Sequence, residues 1–279
     1  DQNYVANNIY DLDCDGSIGI GDLAIMCENW LWTGGLQPNY VGHWKMNDNA
    51  ASTTVVDDSG TGHNGTAARN TNLLAVAGKI GGALTFNGTS DYVNVGNVVS
   101  PGAYTKIAWV KRDVGSYYNN IISSGDVLSH ALYAPYTNSF KLSAGHVNLF
   151  NVVQDPTPLD VNVWYFVAVT FDSSVEAGKM VLYKNGVQVA QASGVPTPLP
   201  STTTYIGRFS TGYYMKGAID NAMIFNRALT GEEISLLYNN GNGVETIPSS
   251  GIYEGDFYKD ETNTVNFLDF ADFANVWGD

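Results

Sequence analysis

The stretch DLDCDGSIGIGD, residues 11–22, carries acids on alternate positions and a fourth acid at its end. A calcium loop of twelve residues presents oxygen at positions 1, 3, 5, 7, 9 and 12, with glycine at position 6 for the sharp turn. Counted that way, Asp11, Asp13, Asp15 and Asp22 supply carboxylates and Ser17 a backbone carbonyl. Gly19 reaches the ion only through water, Gly16 makes the turn, and Ile18 is the apolar residue that packs against a mate. Four carboxylates within a few ångströms repel one another unless a hard cation, here Ca2+, lies between them. Without an ion the stretch is an acidic turn capping the next helix.

A weaker copy lies in DFYKDETNTVNFLD, residues 256–269. Asp256, Asp260, Asn266 and Asp269 fall on positions 1, 5, 9 and 12, and Val265 on position 8. Two residues too many separate Asp260 from Asn263, and Tyr258 stands where an acid belongs. Asn263 replaces the glycine, and asparagine tolerates the left-handed conformation. This loop either binds calcium or keeps only the fold.

Each loop leads into a short helical pattern. Leu23, Met26, Cys27 and Trp30 recur at i, i+3, i+4 and i+7. Setting Asp22 on Asp269 puts Leu23 on Phe270, Ala24 on Ala271, Met26 on Phe273 and Trp30 on Trp277. The two ends are therefore an internal repeat split by an insertion. The only cysteines, Cys14 and Cys27, could staple the first loop to its helix as a disulfide, or remain two thiols.

The insertion reads as β structure. IAWVKR (107–112), YFVAVTFD (165–172) and MVLYKNGVQVA (180–190) are strand runs. Asn185-Gly186 between alternating runs predicts a hairpin, because both turn positions need positive φ. Many short strands at this spacing predict a sandwich or jelly roll. One helix follows at 229–241, with Thr230 and Glu233 as a capping box and Gly241 as its stop. The expected organisation is a loop–helix unit at 1–32, a linker at 33–39, a β domain at 40–241, a linker at 242–255 and a second unit at 256–279.

Exposed aromatics stack on sugar faces, and they also fill cores and interfaces. Tyr117, Tyr118, Tyr133, Tyr136, Tyr213 and Tyr214 lie in expected loops and are candidates for ligand binding. Glycoside hydrolysis needs two carboxylates across one bond. Glutamate occurs only at 28, 176, 232, 233, 245, 254 and 261, outside the strand runs, and the four histidines have no zinc spacing. The chain is therefore expected not to be an enzyme.

Composition narrows the setting. The chain has 27 acids against 13 bases, net −14, which repels nucleic-acid phosphate. No apolar run approaches the ~20 residues that cross a bilayer. The start at Asp1, few lysines and many Thr, Asn, Gly and Tyr fit a mature chain outside the cell, secreted or at its surface.

Two resemblances add to this. The terminal units resemble the loop-plus-helix halves of dockerins, in the variant with Trp near the helix end. In that family adjacent halves pair with near-twofold symmetry, depend on calcium and bind cohesins. Here the halves stand at opposite ends of the chain. The centre resembles the laminin G-like, concanavalin A-like jelly roll through VGHWKMNDNAASTTVVDDSGTGHNGT (41–66), GKIGGALTFNGTSDYVNVG (78–96), WYFVAVTFD (164–172), MVLYKNGVQVA (180–190), YIGR (205–208) and KGAIDNAMIFNRALTGEEISLLYNNG (216–241). That resemblance implies an all-β, two-sheet antiparallel sandwich, and the loop spacing and the dockerin resemblance add short EF-hand-like loop–helix units at both ends. The jelly-roll resemblance also implies non-catalytic binding of glycans or proteins, and one calcium touching Asp58 and Asp220. Without an ion, Asp58 makes an Asx turn and Asp220 a strand-edge hydrogen bond.

A helix unit this short is not stable alone. Its partner is either the other end of the same chain, or the opposite end of the next chain. The second arrangement is heterologous and builds a filament unless it closes into a ring. The expected function is an extracellular calcium-binding, adhesive subunit that pairs head to tail with itself. The alternative is a monomeric lectin-like module, its halves paired internally or docked to a cohesin-like partner.

Overall fold

The computed structural model describes residues 40–200 and 203–245. Eight strands form the larger sheet. From one edge it runs Val187–Ala192, Lys179–Lys184, Tyr165–Asp172, Ala103–Arg112, Lys216–Phe225, Gly82–Asn87 and Ala75–Ala77, and Tyr40–Trp44 also pairs with Lys216–Phe225. Every pairing is antiparallel.

The second layer comes in two pieces. One runs Thr54–Val55, Gly65–Ala67, Val93–Gly96, Thr204–Ile206 and Ile122–Ser124. The other is His130–Tyr133, Lys141–His146 and Leu149–Pro158. A bridge from Asn120 to Tyr133 and the Ile121 N–H bond to the Leu132 carbonyl stitch the pieces together. A two-stranded ribbon, Arg208–Phe209 with Tyr213–Tyr214, completes the described strands. Residues 39–245 form a unit by themselves.

The Tyr165–Asp172 strand shows why one apolar run becomes a central strand. Six of its eight residues are buried, so hydrophobicity does not alternate. A strand covered on both faces needs apolar side chains on both. On its neighbour, Tyr104, Ala108 and Val110 enter the core between the layers. Trp109 points the other way and packs on Phe166 and on Tyr238 of the helix Gly231–Tyr238.

Local chemistry fixes the connections. Asn185 and Gly186 have φ of 52° and 78°, the two positive values a tight hairpin requires. A Cβ on Gly186 would also lie 2.8 Å from the Tyr238 ring. Thr230 accepts from the Glu233 N–H while the Glu233 carboxylate accepts from the Thr230 N–H, a complete capping box. The stop differs from expectation: Asn239, not Gly241, takes the left-handed C-cap at φ 48°, because asparagine adopts that conformation at low cost.

Between the layers lies an unexpected polar cluster. Lys106 is fully buried, and its Nζ lies 3.2 Å from the Ile122 carbonyl and 3.3 Å from His130 Nδ1. Beside it, the Tyr104 hydroxyl meets His146 Nε2 at 2.6 Å, and His146 Nδ1 meets the Pro196 carbonyl at 2.9 Å. Among the described residues no carboxylate pairs with Lys106. Burial holds Lys106 and His130 well below their ordinary pKa values and His146 at about 3.

Candidate functional site

The aromatic residues singled out in loops separate into two groups. Tyr118, Tyr133 and Tyr213 line one pocket of ≈ 290 Å³. Phe150 and Phe209 add apolar wall, Asn148 and Thr137 supply polar groups, and the buried Asn120 closes the floor. Tyr118 lies at the centre of the aromatic network. Its ring meets Tyr213 edge-on at 4.5 Å and Tyr136 at 5.3 Å. Phe209 in turn packs on Phe150 at 5.0 Å. Tyr117 instead lies over Gly88 and Gly115, and Tyr214 pairs with Arg208 in the ribbon; neither lines the pocket.

Three separate segments position these rings. Tyr118 precedes the bridge at Asn120, Tyr133 ends the His130–Tyr133 strand, and Phe209 and Tyr213 face each other across the ribbon. Asn120 is spent on fixing this geometry: its Nδ2 donates to the Tyr213 carbonyl and its Oδ1 accepts from Ser123 Oγ. Phe150 and Asn148 arrive by a hairpin turn at Val147–Asn148, with φ of 51° and 65°. Valine is an uncommon residue in that conformation, so the turn carries no ordinary sequence signal.

None of the described residues lining the pocket is charged. The hydrogen bond with Tyr136 raises the pKa of Tyr118, and burial raises that of Tyr133. Both phenols are therefore neutral at physiological pH. The pocket can stack an apolar ring face and hydrogen-bond hydroxyls.

Asp58 and Asp220 occupy different settings. Asp58 is exposed, pairs with Lys45 at 2.6 Å and lines a second pocket of ≈ 220 Å³ with Asn47 and Asp48. Asp220 is fully buried beside a bulge at Asn221. Its Oδ2 accepts from the Lys79 and Ile80 N–H groups at 2.7 and 2.8 Å, and its Oδ1 has no partner. Burial pushes its carboxyl up to about 7 despite those bonds, and nearby Glu245 adds to the rise. The orphaned oxygen fits a cation. Among the described residues no three His, Cys, Asp or Glu side chains gather as a metal cluster.

The acid that organises the DDSG motif is Asp57. It accepts from the His43, Ser59 and His63 N–H groups and from Thr61 Oγ1. Burial opposes ionisation, yet these bonds hold its pKa at about 2. The loop candidates Asp11, Asp13, Asp15, Ser17, Asp22, Asp256, Asp260, Asn266 and Asp269, and the pair Cys14 and Cys27, lie outside the described residues.

A two-layer antiparallel sandwich of this kind is a jelly roll. Residues 87–235, just over half of the chain, match the model described as the concanavalin A-like lectin/glucanases superfamily, and the chain belongs to that family. No curated protein matches the chain. Among solved structures it resembles domain 4 of AbnA, a GH43 extracellular arabinanase from Geobacillus stearothermophilus, in complex with arabinotriose. Identity is 19%, the TM-score 0.56, and the match covers 71% of this chain and 97% of that one. A receptor binding domain of botulinum neurotoxin C/D mosaic serotype matches at 17% identity and TM-score 0.53, over 72% of this chain and 51% of that chain. A mutant of Trypanosoma rangeli sialidase matches at 15% and 0.55, over 81% and 40%. These likenesses establish the fold, which enzymes and binding domains share.

Proposed function

We propose that the chain is a non-catalytic carbohydrate-binding protein whose β domain holds a neutral saccharide in the tyrosine pocket. One observation carries this: three tyrosines and two phenylalanines converge on a ≈ 290 Å³ pocket without a single charge. Such rings offer large contact area with a polar tip, which suits a sugar's apolar face and its hydroxyls. The family membership and the arabinotriose complex of a similar domain support the reading. The test is a glycan array followed by calorimetric titration of the intact chain with neutral oligosaccharides, arabinotriose among them. Tyr213→Ala is expected to weaken the best ligand about tenfold, a loss of ~1.4 kcal/mol. Unchanged affinity in Tyr213→Ala and Tyr118→Ala would remove the pocket from the account.

Calcium belongs to the same proposal at two places. In the β domain the cation would be held by Asp220 through its unpartnered Oδ1, with Glu245 as the second acid; Asp58 could join only by releasing Lys45. At the termini, the spacing of Asp11, Asp13, Asp15 and Asp22 favours a calcium-organised joint with the second loop. Pairing head to tail, such joints would string the carbohydrate-binding domains into a filament outside the cell. Light scattering with and without calcium tests this: a particle size that does not respond to the ion rejects the filament and leaves the sugar site standing.

A further inference from the structure

The YIGR motif ends in an arginine that the tyrosine pocket does not use. Of the four described arginines, Arg69 grips Asp91 through two bonds of 2.8 Å, Arg227 grips Glu233, and Arg112 donates to the Leu159 carbonyl. Arg208 alone among them has no acceptor among the described residues, and its Nε is buried without a hydrogen bond. It is not loose. Its guanidinium carbon lies 3.9 Å from the Tyr205 ring centroid and 4.3 Å from that of Tyr92, and the two rings meet edge-on at 5.4 Å. In a chain of net charge −14, acids are plentiful, yet none of the described ones pairs with this cation.

We infer that Arg208, framed by Tyr92 and Tyr205, is an anion-recognition site for an acidic saccharide. A guanidinium offers five donors in a planar fork that matches a carboxylate or sulfate, and stacking fixes the plane before the ligand arrives. The surroundings specify a sugar rather than a bare ion. The Tyr92 and Tyr205 rings are only half-buried, and neither hydroxyl bonds to a described residue. Cross-strand partners Thr54, Thr66, Asn94 and Tyr205 form one row over four strands of the second layer. Cross-strand partners share a face, so this row extends from the arginine as an uncharged track of hydroxyl and amide groups. Its residues do not line the tyrosine pocket, so the two sites bind through different side chains.

Calorimetry on the intact chain with tri-galacturonate, a sulfated galactan oligosaccharide and arabinotriose tests the site. At least one acidic probe is expected to bind, more weakly as salt rises. Arg208→Met keeps the stem between the rings and is expected to weaken that binding at least tenfold. Arg208→Lys keeps the charge but not the fork, and is expected to lose at least fivefold. Tyr213→Ala should leave the acidic probe unaffected, which separates this site from the neutral pocket. Binding of the uronate alone identifies a carboxylate ligand; of the sulfated probe alone, a sulfate; of both, a general anion fork. Should Arg208→Met not fold, the Arg208 Nε–Hε resonance of the wild type must shift on titration. No binding of either acidic probe, an unmoved resonance, or wild-type affinity in a folded Arg208→Met overturns the inference.

Discussion

Replacing Lys106 with Met and His130 with Leu together should make the protein more stable. Both side chains lie between the layers, at most 1% exposed, and Lys106 has no acid among the described residues to pair with. His130 Nε2 lacks any hydrogen bond. Replacing both partners of a buried polar contact by apolar groups of similar shape is nearly neutral or stabilising, and for buried ion pairs the gain reaches about 1–4 kcal/mol. A unit of this size moves its midpoint by roughly 2–4 °C per kcal/mol, so even a gain of about 2 kcal/mol gives ~4–8 °C. Lys106→Met alone should gain less, because it leaves both ring nitrogens of His130 without partners. The pair should therefore be non-additive in a double-mutant cycle. The pH dependence supplies a second readout. For a base whose folded pKa is depressed, the unfolded chain binds the extra proton, so stability rises with pH up to the unfolded pKa. The slope reaches about 1.4 kcal/mol per pH unit for one proton. Urea denaturation of the wild type should thus show a rising limb toward pH 10 from Lys106, and the double variant should lack it. A double variant less stable than wild type by more than 1 kcal/mol, or one with the wild-type alkaline slope, refutes this reasoning.

Acid should also unfold the domain early. His146, held at about 3, contributes stability that is present above its unfolded pKa and lost as pH falls from about 6.5 toward 3; a melting series over that range should flatten in His146→Leu. Gly186→Ala forces alanine to φ 78° and onto Tyr238, and is expected to cost at least ~1 kcal/mol by chemical denaturation. Thr230→Ala removes one half of the capping box and should cost about 1 kcal/mol in the same assay. If Asp220 holds calcium, the ion should raise the melting temperature of the β domain and Asp220→Asn should abolish the rise; an equal rise in both proteins excludes that site.

The parts of the fold legible in the sequence were those with local chemistry. Asn185-Gly186 announces its turn because both residues accept positive φ, and Thr230 with Glu233 announces a helix start. Tyr165–Asp172 is readable as a strand run, and Val187–Ala192 as the second arm of the Asn185-Gly186 hairpin. What stayed hidden depends on tertiary placement. Lys106 follows Thr105 in a strand where a lysine would ordinarily face water; the pleat turns it into the core instead. Tyrosines 118, 133 and 213 were visible as loop aromatics, but nothing local distinguishes them from Tyr117 and Tyr214. Only the bridge at Asn120 and the ribbon of Phe209 with Tyr213 bring the first group together. Phe150 was missed because a Val147–Asn148 turn delivers it. Asp57 and Asp58 are neighbours of one type, and only the donors gathered from His43, Ser59, Thr61 and His63 single out the first.

Fluorine NMR on the intact chain carrying 3-fluorotyrosine tests the central claim most directly. With a binding neutral oligosaccharide, the signals of Tyr118, Tyr133 and Tyr213, assigned by single Tyr→Phe variants, should move together and saturably, while Tyr92 and Tyr205 stay still. If no neutral oligosaccharide moves those three signals, or if saturation moves tyrosines elsewhere and leaves these unchanged, the pocket does not bind sugar.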